Sequence, residues 1–270
     1  MPQSRNLPQI DRISILAATI MLTFVLARFI TFPDFVLPIS LPGVYIGLSV
    51  NFNLVIALIV IGLSASGVDW LLRGHPGIQG KSTYQHWLLP TLTAWAIGSA
   101  LLQQPFGPPW WIGFGVGSAI LILVVVAEYI VVDPQDTRRS LASIMLTAVT
   151  FALYLILAIM VRIRAERLFL TVPTITLAAG LVSLRVLLFE SDLSTALKPS
   201  ILIMLISGQI TAALFYLPLP PINFALLLVS IAYSLITATT GILEKKSWKQ
   251  LLLEPALVFA CTWAISAWIL

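Results

Sequence analysis

Charged side chains inside apolar stretches are the residues of this sequence best suited to chemistry. Asp69, Glu128 and Arg185 each stand within or at the edge of a long apolar run, and Glu254 opens the last such run. An ionised group is costly in hydrocarbon, so such residues usually face protein or water and often mark ion, proton or substrate sites. Asp69, Glu128 and Arg185 are therefore predicted to form an intramembrane polar cluster.

Helical spacing predicts the direction in which two of these acids point. Small residues share a helix face with each acid: Gly62 and Ser66 with Asp69, and Gly113 and Gly117 with Glu128. Small residues let helices approach closely, so both acids are expected to face protein. In the two repeats described below, Arg185 occupies roughly the place in the second that Asp69 holds in the first, so Asp69 is expected to pair with Arg185. Three interpretations stay open: a buried structural salt bridge, a functional pocket, or side chains that reach the headgroups.

The loop GHPGIQGKS at 74–82 is rich in polar groups. Side chains that could contact an anionic headgroup lie in or beside it: Arg73, His75, Lys81 and His86. For His86, a helix-capping or interfacial position is favoured over acid–base work. The loop is not a nucleotide-binding P-loop, because five residues rather than four separate Gly74 from Gly80 and because an apolar helix, not a strand, precedes it.

Composition indicates a membrane protein. Of 270 residues, 59% are hydrophobic and 10% are charged, and the mean hydropathy is +1.00. An average soluble domain has about 25% charged residues, so a soluble chain could not cover this much apolar surface. With one cysteine, Cys261, and two histidines, neither a disulfide framework nor a metal site is expected, and no cofactor is predicted. The net charge of +4 comes mostly from basic residues in short loops, where they set the membrane topology. No nucleic-acid partner is therefore expected.

Runs of mostly apolar residues predict an all-α transmembrane bundle of about nine helices in a single integral membrane domain, 1–270. The expected spans are Ile13–Ile30, Phe52–Leu72, Trp87–Leu102, Trp110–Val132, Leu141–Val161, Leu170–Phe189, Ile201–Leu217, Ile222–Gly241 and Leu251–Leu270.

The basic residues predict the orientation in a bacterial inner membrane. Ten of them flank the N-terminus and the even-numbered helix ends, whereas three, Arg162, Arg164 and Arg167, lie on the other side. The positive-inside rule then places the N-terminus in the cytoplasm and the C-terminus outside. Trp110 and Trp111 are expected to belong to an interfacial aromatic belt.

Two further features concern the arrangement of the spans. Apolar residues alternate with polar or small ones after Pro42-Gly43, which predicts a small β-hairpin at the outer face, with an irregular loop as the alternative.

The segments 12–24 and 139–151 have similar sequences. They suggest two parallel four-helix repeats, 12–133 and 139–241, with an extra helix at 251–270. Such repeats would be related by an axis along the membrane normal.

Three segments carry a resemblance to a known family. The runs SASGVDWLLRGHP, HWLLPTLTAWAIG and AEYIVVD resemble an uncharacterised family of bacterial multi-pass membrane proteins, a domain of unknown function, best over residues 50–135. The resemblance implies no activity, ligand or catalytic residue. It does imply that the acid of GVDW, Asp69, and the glutamate of AEY, Glu128, matter to these proteins.

Two classes of function follow. The first is a non-enzymatic transporter-like protein, or an accessory subunit of a membrane complex whose partners are the bilayer and other membrane subunits. The absence of catalytic motifs favours this class. The second is a membrane-embedded enzyme that acts on a lipid or isoprenoid anion, with Asp69, Glu128 and His86 around a basic mouth.

Overall fold

The computed structural model describes residues 10–30, 35–41, 44–50, 52–75, 78, 83–133, 135–164, 167–244 and 246–269. Within these ranges the chain forms nine α-helices, which confirms the predicted all-α bundle. They are α1 (Ile10–Phe29), α2 (Phe52–Arg73), α3 (Leu88–Gln103), α4 (Pro108–Val131), α5 (Arg139–Arg164), α6 (Leu168–Leu187), α7 (Leu193–Phe215), α8 (Pro221–Leu243) and α9 (Trp248–Ile269). A 3-10 helix, Tyr84–His86, precedes α3.

Six of the helices are long and apolar enough to cross a membrane, as judged from the ranges given above: α1, α4, α5, α6, α7 and α8. Helix α3 has 16 residues, or about 24 Å at 1.5 Å per residue, which is less than the roughly 30 Å of a hydrocarbon core. The chain is thus a multi-pass membrane protein.

Helix α7 begins well before its predicted start, and smaller extensions occur at the ends of other helices, including α5. Helix α7 begins at Leu193 rather than Ile201, directly after Asp192, whose backbone is extended. Helix α5 runs on through Arg162 and Arg164. A span predicted from apolar residues ends at the first charged position. The helix itself can continue, because Lys and Arg are good helix formers and their long side chains can reach past the apolar layer.

The segment for which a hairpin is expected contains two strands, β1 (Phe35–Leu41) and β2 (Val44–Val50). They pair antiparallel, with Phe35 opposite Val50 and Leu41 opposite Val44. The side of the membrane on which these strands lie stays a prediction.

The chain divides into two compact units, Met1–Ala142 and Ser143–Leu270. In the first, α1 contacts α2, α3 and α4 through residues three or four apart, among them Leu16, Ile20 and Phe24. Glycines allow the close approach: a Cβ built on Gly67 would meet Leu16, and one built on Gly98 would meet Phe24. The predicted four-helix repeats stay a prediction.

In the second unit, α6 and α7 are joined by a short turn and contact each other reciprocally. A Cβ on Gly180 of α6 would lie 2.9 Å from Sδ of Met204, and one on Gly208 of α7 would lie 2.5 Å from Oγ1 of Thr176. Each helix therefore presents a glycine to a larger side chain of the other, four residues from its own protruding side chain.

Helix α9 is bound to α8 at two levels. The Asn223 amide donates to the Ser266 carbonyl at 3.1 Å. Some three turns further along α8, the Tyr233 hydroxyl donates to Oε1 of Glu254 at 2.9 Å, and the Ser234 hydroxyl donates to the Pro255 carbonyl at 3.2 Å.

Candidate functional site

A polar cluster lies at one end of the first unit, where α2 and α4 end and the 3-10 helix leads into α3. We call it the α2–α4 cluster. Its members are brought together by contacts between residues distant in sequence: Asp69, Arg73, His75, Thr83, His86, Glu128 and Tyr129. It forms because α3 runs back beside both α2 and α4, so that its start meets the end of each.

Asp69 is bonded on both sides. Nε of Arg73, one turn later on α2, lies 2.7 Å from Oδ2 of Asp69. The Thr83 hydroxyl donates to Oδ1. The Asp69 side chain is 17% exposed and that of Arg73 is 75% exposed, so the carboxylate is anchored while the guanidinium lies at the surface.

Glu128 and His86 form the most deeply buried contact of the cluster. Nδ1 of His86 lies 2.8 Å from Oε2 of Glu128, and the two side chains are 9% and 0% exposed. The other ring nitrogen of His86 is 3.5 Å from the Gln85 amide nitrogen. The position of Glu128 inside the protein follows from the α4 face that carries Gly117, which packs against Ile97 of α3.

His75 lies beside this pair. It is buried, and its ring meets the Tyr129 ring edge-on with centroids 4.4 Å apart. Burial lowers the pKa of His75 below its ordinary value; Asp133 and Asp136 act in the opposite direction, and His86 adds to the lowering. His75 is therefore biased toward the neutral form.

Two further residues are predicted for the site, Arg185 and Lys81. Arg185 belongs to the second unit, where it is buried and its guanidinium lies over the Phe189 ring at 4.2 Å. Lys81 falls outside the described residues. The pairing of Asp69 with Arg185, and an anion bound by Arg73, His75, Lys81 and His86, stay predictions.

Thr83, Tyr129 and the direct bond between His86 and Glu128 were not predicted. A signal was available: His86 directly precedes α3, Glu128 lies near the end of α4, and consecutive antiparallel helices bring such ends together. Among the residues that the structure describes, no three His, Cys, Asp or Glu side chains are grouped to hold a metal ion.

The long apolar helices, with ionisable groups buried at the end of the first unit, define a multi-pass membrane protein built mainly of helices. More particularly, the chain belongs to the family described as "Protein of unknown function (DUF5656)", whose profile matches residues 32–269. The match covers both strands and every helix after α1. It confirms membership of an uncharacterised family. Neither the search of curated proteins nor that of solved structures gave a match.

Proposed function

We propose that this protein is a non-enzymatic, transporter-like membrane protein in which the Glu128–His86 pair binds and releases a proton. The observation that carries the proposal is the burial of this carboxylate and imidazole at 2.8 Å from each other. Buried chains of acidic and histidine side chains serve as proton relays in pumps and transporters.

The chemistry of the contact supports a proton site. The Glu128 carboxylate only accepts, so Nδ1 of His86 donates to it, and the second ring nitrogen is the place where a further proton would be bound. The Gln85 amide beside the other ring nitrogen supplies an adaptable neighbour, because its nitrogen can donate to a neutral ring and its oxygen, after an amide flip, can accept from a protonated one. The Gln85 side chain is thus a suitable neighbour for this nitrogen with or without a hydrogen on it.

The buried His75 connects this pair to the end of the unit. Asp133 and Asp136, after the end of α4, raise the pKa of His75, and His86 lowers it. These two carboxylates provide a polar approach for a proton that enters or leaves the cluster.

Proton flux into liposomes tests the proposal. The purified protein is reconstituted with a pH-sensitive dye inside, and a potassium diffusion potential drives protons inward. We expect faster acidification than in protein-free liposomes, and a loss of at least tenfold in the excess rate for Glu128→Gln and His86→Gln. Glu254→Gln is the matched control, because Glu254 is an exposed acid in the second unit. A wild-type rate equal to that of empty liposomes would refute proton transport.

An accessory subunit of a membrane complex is the neighbouring possibility within the same class. In that case the pair would be structural, and Glu128→Gln would weaken the co-purification of another membrane subunit while proton flux stayed at the empty-liposome rate. An enzyme that acts on a lipid anion would instead convert added lipid in detergent, and conversion would depend on His86 and Glu128.

We further propose a bacterial inner membrane as the location, with the N-terminus in the cytoplasm. The excess of basic residues near the N-terminus and the even-numbered helix ends supports this orientation. The test is labelling by a membrane-impermeant maleimide in intact cells, in a Cys261→Ala background. A cysteine placed at Gln135 should be protected and one at Gly107 should react; the reverse pattern would refute the orientation.

A further inference from the structure

Arg12 at the start of α1 is held against the end of α2 by two contacts. Its guanidinium lies over the Trp70 ring, 5.0 Å from the centroid. One of its terminal nitrogens, Nη1, occupies the space that a side chain at position 74 would fill, 2.6 Å from a Cβ built on Gly74. Gly74 is thus the residue that permits Arg12 to rest here, and Arg12 is fixed rather than free to move in solvent.

Arg73 places a second guanidinium on the adjoining side of the same helix end. Its Nε contacts Asp69, while its side chain is 75% exposed. Two guanidinium groups, those of Arg12 and Arg73, therefore lie at this end of α2.

Two half-exposed aromatic residues border these arginines. Trp70 and Tyr84 are each 43% exposed, and Tyr84 follows Thr83, whose hydroxyl contacts Asp69. Amphipathic aromatic rings of this kind occupy the depth of the lipid headgroups. We call the set of Arg12, Trp70, Arg73 and Tyr84 the arginine–aromatic edge.

We propose that the arginine–aromatic edge binds the headgroup of an anionic phospholipid. Guanidinium groups bind phosphate oxygens through paired, charge-assisted hydrogen bonds, and basic sites at the ends of membrane helices recognise anionic lipids. The C-terminal carbonyls of α2 disfavour an anion, so the attraction comes from the two arginines. The buried His75 and His86 take no part in this site, which is independent of the proposed proton site.

Lipid titration with readout by native mass spectrometry tests the proposal. The full-length protein in detergent is titrated with phosphatidylglycerol and, separately, with phosphatidylcholine of the same chain length. We expect the wild type to prefer phosphatidylglycerol. Because an arginine near an anionic surface contributes enough to change affinity by about fivefold, Arg73→Gln should weaken phosphatidylglycerol binding by about fivefold, and Arg12→Gln with Arg73→Gln by roughly 25-fold.

Arg138→Gln is the matched control. Arg138 also lies near the end of α4, but Asp136 already binds its Nε and Nη2 at 3.1 and 2.8 Å. The Arg138→Gln variant should therefore keep the wild-type preference for phosphatidylglycerol over phosphatidylcholine. Arg12→Lys keeps the charge and should retain more binding than Arg12→Gln; because each variant is compared between two lipids, a general loss of stability cancels.

Three results would overturn the proposal. The first is a wild type that does not distinguish the two lipids. The second is a double variant that keeps the full preference for phosphatidylglycerol. The third is a preference abolished by inorganic phosphate at concentrations equal to the lipid, which would indicate a site for a soluble anion.

Discussion

Nδ1 of His86 and Oε2 of Glu128 lie 2.8 Å apart, although 42 residues separate them in the chain. The bond joins the short helix before α3 to the last turn of α4, and it does so where both side chains are buried. A buried polar group that loses its partner costs more than the bond itself contributed, so this contact commits the two helix ends to one arrangement.

Replacement of Glu128 by alanine tests this commitment. Removal of one partner from a buried pair should lower the free energy of unfolding by about 3–5 kcal/mol. Thermal unfolding in detergent, followed by tryptophan fluorescence, measures the loss. Ser118→Ala on the same helix is the control, because the Ser118 hydroxyl bonds only to the Phe114 carbonyl of its own helix among the described contacts. Equal melting temperatures for the two variants would contradict a structural role for the pair.

Two glycines on α4 provide a matched test of helix packing. A Cβ on Gly117 would lie 2.7 Å from Cγ2 of Ile97, a stiff β-branched side chain, whereas one on Gly115 would have nothing within 4 Å. Gly117→Ala should therefore destabilise the protein by about 1–3 kcal/mol, while Gly115→Ala should be neutral or slightly stabilising. The comparison is made by melting temperature; a larger loss for Gly115→Ala would show that the α3–α4 contact is wrong.

The stability of the protein should depend on pH through His75. Its pKa is lowered in the folded state, mainly by burial, so the unfolded chain binds more protons between that lowered pKa and 6.5. The stability that His75 contributes is present above 6.5 and is lost as the pH falls through this window. His75→Gln should flatten the rise in melting temperature between about pH 5 and about pH 7.5. Identical pH profiles for wild type and variant would refute this assignment.

Arg162 should stabilise the second unit. Its guanidinium donates to the carbonyls of Phe215 and Leu217 at 3.2 and 3.0 Å and lies over the Phe224 ring at 5.0 Å. Arg162→Met removes these charged hydrogen bonds at the end of α7 and should cost about 1.5–3 kcal/mol of unfolding free energy. Arg167→Met is the control, since Arg167 is exposed. Unfolding in denaturant measures both; equal losses would contradict the capping role.

Arg162 also shows why a topology rule meets exceptions. Its charge falls on the side of the chain where the positive-inside rule predicts few basic residues, yet it caps the carbonyls at the end of α7. A count of basic residues uses only their positions in the loops. The hydrogen bonds that Arg162 makes to residues more than 50 positions away cannot be seen in the local sequence.

The number and order of helices could be predicted from apolar runs, because lipid imposes a strong and local constraint on composition. The partners of the buried charges could not, because they depend on helix rotation and on long-range neighbours. Trp110 illustrates the difference. Two adjacent tryptophans differ in their surroundings: Trp110 is 1% exposed and stacks on Phe114 at 5.3 Å, whereas Trp111 is half exposed.

The reciprocal contact of α6 and α7 restricts how the second unit can move. Gly180 faces Met204 and Gly208 faces Thr176, so each helix carries a glycine and a larger contacting side chain one turn apart. If one helix slid along the other by a turn of about 5.4 Å, the Met204 and Thr176 side chains would be brought against each other. We therefore expect α6 and α7 to move together as one rigid hairpin.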